Sequence, residues 1–481
     1  MLNAQVNRNQ IMMASFDDLL PVESDIRTID VLISTIFSRS NLSTSYNKGK
    51  SHTGRPAYSL ETMMRIFIYG YINKVTSSRR LEKECKRNIE LIWLTGHQCP
   101  DHNTISNFRS TYLKDIKLVS RELRRLLRDL ELVGNEYAID GTKIKANVNG
   151  SNIYTLKQLK NQHNKLEEQI LDYLSKLEEQ DRSDSHLETD LAIANKKKAQ
   201  IESRIEMMEE QGLESFSNVD NDARLMDSHD GIIPGYNFQG ATETQNGFIM
   251  SDTVTQDQND FHQLKEVISD IKSEANITSL TALADTGYCA FDDIDEIESN
   301  NDIECFVGIQ RETSPYRNEF IYHPEENIYI CPEGKVLKYL QVKKDRNGNK
   351  IQVYQCKECT GCKRKSICSP KSKHGRMFER YENEEFRKKF KQKMKTKEGR
   401  EKMIKRSSSI EKIFGTIKVW GGKIPILTRG IKKVATEIKL YCLAYNVRRL
   451  INMFKIEELI DKLTRFIINL LFILKKEPIF R

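Results

Sequence analysis

Asp140 in YAIDGTKIKA, Asp285 in LTALADTGY and Glu411 in KRSSSIEKIFGTIK are the residues best placed to do chemistry. The first two end short apolar runs that read as strands, and the third lies on a helical pattern. Carboxylates gathered from distant segments can hold two divalent metals roughly 4 Å apart, and such a pair drives in-line phosphodiester chemistry. Each acid also has an ordinary reading. Asp140 before Gly141 can shape a turn, Asp285 can cap a following helix, and Glu411 can be a solvated acid on a lysine-rich face. Asp252, Asp257, Asp260 and Asp292 are expected on turns or facing solvent.

Cysteines make a second constellation. Cys356, Cys359, Cys362 and Cys368 have the spacing Cys-x2-Cys-x2-Cys-x5-Cys, with Cys331 in CPEGK upstream. Such spacing suits tetrahedral Zn²⁺ held by thiolates, which would staple a loop lacking an apolar core. An iron–sulfur cluster and unmetallated thiols are the alternatives. The Cys-Pro that ends a bacterial iron–sulfur run is missing here, since Cys368 is followed by Ser369-Pro370.

The elements that must position these groups fall into segments along 481 residues. Residues 1–130 read as a helical domain. In it, SLETMMRIFIYGYINK opens at a capping Ser59, and Asp101 starts a helix that follows another helix. That order suits a helix-turn-helix, whose second helix would offer Asn107 and Arg109 to DNA; an ordinary helical bundle reads equally well. Residues 131–154 carry the first core strand. Residues 155–214 show two heptad-like runs, Leu156 to Leu177 and Leu187 to Met208, joined by a polar turn. They predict an antiparallel helical hairpin whose seam is interrupted by His163 and Lys198. Residues 215–310 resume the core, with Asn246-Gly247 between two alternating runs as a hairpin signal. Residues 311–376 hold the cysteines, 377–455 a basic segment and the Glu411 helix, and 456–481 a last helix.

Composition restricts the function classes. Net charge is only +8, yet residues 361–420 carry 20 Lys+Arg against 7 Glu and no Asp. A basic segment of that density suits a polyanion, because phosphate neutralisation supplies most non-specific nucleic-acid affinity. The apolar run FIINLLFIL is too short to span a bilayer. No basic-plus-apolar signal opens the chain, and scattered cysteines do not form a secreted disulfide framework, so a reducing cytosolic location is expected.

Taken together, GRPAYSLETMMRIFIYGY, YAIDGTKIKAN, DNDARLM with GIIPGYNFQGATE, ALADTGY, and SSSIEKIFGTIKVWGG with RGIKKVATEIKLYCLAYNVRRL resemble the DDE transposases of bacterial insertion sequences over nearly the whole chain. The resemblance implies an α/β fold: an RNase H-like mixed-sheet catalytic core with an α-helical N-terminal domain, a helical-hairpin insertion and a small Cys-rich insertion. It assigns the metal-binding triad to Asp140, Asp285 and Glu411, holding two Mg²⁺ with Mn²⁺ as a substitute. It implies double-stranded DNA as partner (terminal inverted repeats and target), a homodimer in the active complex, no membrane, and a bacterial cytoplasm with nucleoid association. Lys418 matches the Glu-(six residues)-Lys spacing of related transposases. The fullest signature also has an Arg four residues before the Glu and a Tyr three before that, where this chain has Ser407 and Ile404; Arg406 is the nearest arginine. Lys418, Arg406 and Trp420 are expected to contact DNA, and Asp222, Arg224, Tyr236, Asn237 and Gln239 to support the site. A domesticated or inactive copy that only binds DNA is the alternative, and a host nuclease with the same core is a further rival.

Overall fold

The computed structural model describes residues 13–39, 57–178, 185–228, 231–299, 302–310, 319–344, 350–370, 372, 375–421 and 426–476. It is a mixed α/β protein of two compact units. The first holds Met1–Asp260, Glu266–Thr278 and Ser407–Arg481, and the second Phe261–Lys265 with Ser279–Arg406.

Among the described residues of the first unit, six helices between Asp25 and Asp129 precede the first strand. Their starts follow the local chemistry. The Ser59 hydroxyl accepts from Thr62 N at 2.9 Å, and the Asp101 carboxylate from Thr104 N at 2.6 Å, each satisfying an amide that a helix start leaves unbonded. Leu32, Ile33, Met63, Met64 and Phe67 fill the interior of this layer, and Phe67 stacks on Phe108 with centroids 5.4 Å apart. The long helix Ile431–Met453 is buried along most of its length and packs on helices Leu60–Ile72 and Leu113–Asp129 and on strand Ile249–Thr255. There Asn446 bonds both the N–H and the C=O of Ile249, each at 2.8 Å, so a helix side chain takes the place of a neighbouring strand.

Strand Glu136–Lys145 runs antiparallel to Gly231–Glu243, whose other edge pairs first with Arg224–Ser228 and then with Ile249–Thr255. The Asn246-Gly247 turn forms where expected, and the Glu243 carboxylate accepts from the amides of Gln245 and Asn246. Helices Leu156–Glu178 and Ser185–Glu210 form the hairpin, with Leu159, Ile201 and Met208 in its core. The two polar interruptions of the seam are matched across it: His163 Nε2 lies 2.8 Å from Glu202, and Lys198 Nζ 2.8 Å from Glu167.

In the second unit, Leu280–Ala284 runs parallel to Ile303–Val307 through helix Phe291–Glu298. The cysteine segment belongs to a five-stranded antiparallel sheet from Ile321 to Tyr381. Its expected lack of an apolar core is corrected. Phe320, Tyr329, Leu337, Tyr354 and Phe378 are buried together with Cys356, so aromatic packing already supports the sheet.

Candidate active site

Asp140 lies in the middle of strand Glu136–Lys145, not at its end as the sequence suggested, because the alternating burial continues through Ile144. Its cross-strand partner is Gly240, whose own partner on the far side is Asp252. Directly paired residues share a face, so Gly240 adds no side chain beside the Asp140 carboxylate. Asp140 Oδ1 accepts from Gly141 N at 2.9 Å.

Asp252 is buried in its strand rather than on a turn. Burial alone would raise its carboxyl, but Arg124 and Lys439 beside it hold it below the usual carboxylate range. It is an internal counter-ion.

The opposite face of the strand carries a polar tile that sequence reasoning missed. Asp260 Oδ1 accepts from Gln239 Nε2 at 2.6 Å, Asn237 Nδ2 at 2.8 Å and Lys143 Nζ at 3.1 Å. Asn237 and Gln239 are fully buried, and Asp260 turns its carboxylate to them instead of out to solvent. Gly141 explains its own presence: a Cβ there would fall 2.5 Å from Asp260 Oδ1 and 2.6 Å from Gln239 Nε2. The signal available in sequence was Lys143, Asn237 and Gln239 on buried strand positions, since such donors demand an acceptor.

Asp285 follows Leu280–Ala284 directly, at the strand end as expected, and caps a short turn by accepting from Gly287 N at 2.8 Å. Its side chain is 41% exposed, and Arg406 approaches its other oxygen at 3.9 Å. Arg406, expected against DNA, is instead buried, with its charge turned toward Asp285.

Glu411 is exposed on helix Lys397–Gly421 and accepts from Ser407 Oγ at 2.7 Å. Lys418 and Trp420 lie on the same helix, with side chains outside the described residues. Asn107 is exposed on helix His102–Thr111. Arg109, expected beside it at DNA, is buried and donates to Thr76 O at 2.9 Å. Glu411 and Asp140 thus belong to the first unit and Asp285 to the second. Among the described residues no three His, Cys, Asp or Glu side chains are placed to share one ion.

The five cysteines Cys331, Cys356, Cys359, Cys362 and Cys368 line one cavity of about 40 Å³. Two sulfurs accept backbone amides at 3.3 Å, Cys331 from Lys335 N and Cys359 from Arg376 N. Burial pushes the Cys356 thiol up to about 11, with Cys359 and Cys331 adding to the rise, and raises Cys368 as well.

Two family models match the chain: the transposase DDE domain over residues 330–451, and the transposase domain DUF772 over residues 14–111. The chain is a DDE transposase of an insertion sequence, with DNA as its substrate and a dependence on divalent metal. The DDE match spans Glu411 and all five cysteines of the cavity but neither Asp140 nor Asp285. No curated protein and no solved structure matches the chain. Among the described residues no helix is long and apolar enough to cross a membrane.

Proposed function

We propose that this transposase, working as a homodimer, binds the terminal inverted repeats of its element, nicks them and joins the freed 3′-hydroxyls to target DNA. The strand order along the chain supports reading the sheet as an RNase H-like core: antiparallel strands through Thr255, then a parallel pair ending at Val307. The observation that carries the reading is the state of the acids. Asp140 faces a glycine, Asp285 is two-fifths exposed with an arginine behind it, and Glu411 is exposed on its helix. None of the three is sealed in the interior as Asp252 is. They would hold two Mg²⁺, or Mn²⁺ in their place, which supply charge neutralisation at the attacking and leaving oxygens of the scissile phosphate. Arg406 keeps Asp285 oriented until then. Sequencing the genomic flanks tests the element reading: short inverted repeats bracketing the reading frame are expected, and their absence would favour a domesticated, DNA-binding copy.

The cysteine cavity fits a structural Zn²⁺. Thiols lining one cavity and accepting backbone N–H groups are the donor set and the outer bonds that such sites use. Protein prepared under reducing conditions is expected to carry one zinc per chain. Chelation or Cys359→Ser should lower its melting temperature by several degrees, because binding free energy at such a site is folding free energy. Elemental analysis showing neither zinc nor iron would sink this assignment.

A further inference from the structure

The first unit contains a polar cavity of about 390 Å³, open to solvent, between helix His102–Thr111 and the segment leading into helix Ile431–Met453. Among the described residues, the cations Arg109, Arg429 and Lys433 line it with Ser106, Ser110 and Asn147 as neutral partners, and no acid lines it.

The nearby acids bond the backbone, and the charge of one of them, Glu437, also favours the Arg109 guanidinium. Glu437 accepts from Leu427 N, Thr428 N and Thr428 Oγ1 at 2.8–3.1 Å. Asp220 accepts from Gly430 N at 3.0 Å, and Asp222 from Ile431 N at 2.8 Å. These bonds fix the 427–431 backbone and leave its cations facing outward. Arg429 is exposed, yet its Nε donates to Asn147 O at 3.1 Å while Asn147 Nδ2 donates to Leu427 O at 3.2 Å, so the guanidinium is held in place before any ligand arrives. At the floor, Arg109 is 3% exposed and its Nε has no hydrogen-bond partner. A buried guanidinium N–H without an acceptor is costly unless an anion supplies one.

We propose that this cavity is a docking site for a backbone phosphate of duplex DNA, read without regard to sequence. The proposal rests on the assignment of the chain as a DNA transposase and adds where the duplex is held. Cations and hydroxyls around an open pocket suit a phosphodiester, whereas base-edge reading needs side chains that project into a groove. Arg109 therefore acts at DNA through phosphate at the cavity floor.

The test uses full-length Arg429→Gln/Lys433→Gln, and Lys433→Gln alone should the double variant fail to fold. Binding to a duplex carrying the element's end and to an unrelated duplex of equal length is followed by fluorescence anisotropy across salt. Affinity for both duplexes is expected to fall by a similar factor, roughly 10-fold for the double variant. The log–log salt slope should shrink by about 0.9 for each phosphate that the variant no longer neutralises. Folded variants with unchanged affinity and slope would overturn the site. So would a loss confined to the element's end, which would mean base reading. Wild-type protein that binds neither duplex would instead bring down the transposase assignment on which the site rests.

Discussion

Asp285→Ala is expected to leave a chain that still binds DNA and no longer cuts it: nicking should fall by roughly 10³-fold or more, about 4 kcal/mol of lost transition-state stabilisation. The size follows from what the residue does. Asp285 brings negative charge to the end of a buried strand, where its orientation is fixed by Gly287 N and by Arg406. Alanine keeps the strand but removes a ligand, and the turn loses one capping bond, a cost near 1 kcal/mol that a unit of this size tolerates. Binding should change little, because cations elsewhere neutralise phosphates and supply most of the affinity. Gel assays of nicking and of mobility on the same duplex separate the two quantities. Cleavage within threefold of wild type would remove Asp285 from the site.

Arg124→Met should cost the fold more than any exposed substitution, roughly 3–5 kcal/mol, because it strips the counter-ion from buried carboxylates. Arg124 is fully buried, 2.8 Å from Asp252, with Asp270 at 3.9 Å and Glu274 at 3.8 Å; Lys439 completes the pair with Asp252. Burial works against the guanidinium charge, but the surrounding acids outweigh it, so Arg124 stays ionised inside the protein. This cluster bonds the last helix of the N-terminal domain to the sheet and to helix Ile431–Met453. Methionine fills the volume and leaves Asp252 with Lys439 alone. A melting temperature lower by roughly 5–10 °C is expected in thermal unfolding. A shift under about 2 °C would mean that the acids neutralise one another by taking up protons at little cost.

These two residues also show what a sequence can display. The Ser59 and Asp101 helix starts, the Asn246-Gly247 turn and the two-helix hairpin are written in local spacing and formed where the pattern put them, whereas the strand around Asp140 runs on past the end that the pattern gave it. Asp285 stood out because a buried apolar run ends on it. Asp252 did not, since nothing within its alternating run announces Arg124 or Lys439, more than a hundred residues away in each direction. Asp260 does lie in the irregular segment after strand Ile249–Thr255, but its inward bonds were hidden for the same reason, its donors lying on two strands far away in sequence. Basic residues misled in the opposite direction. Arg406 and Arg109 sit in charged or polar stretches, where periodicity is too weak to tell an outward arginine from one folded in against an acid or a carbonyl. In the cysteine segment, the spacing of the thiols drew the reading to metal, while Phe320, Tyr329, Leu337, Tyr354 and Phe378 are too far apart in sequence to announce a shared core.

The central claim is that Asp140, Asp285 and Glu411 act by holding catalytic metal, and a metal-preference switch tests it most directly. Thiolate is a poor ligand for Mg²⁺ and a better one for softer Mn²⁺. Nicking of an end-bearing duplex by Asp140→Cys is therefore to be measured in each ion beside the wild type. The expected result is loss of nicking in Mg²⁺ with substantial recovery in Mn²⁺ at unchanged DNA binding. Nicking in Mg²⁺ at the wild-type rate would contradict the claim.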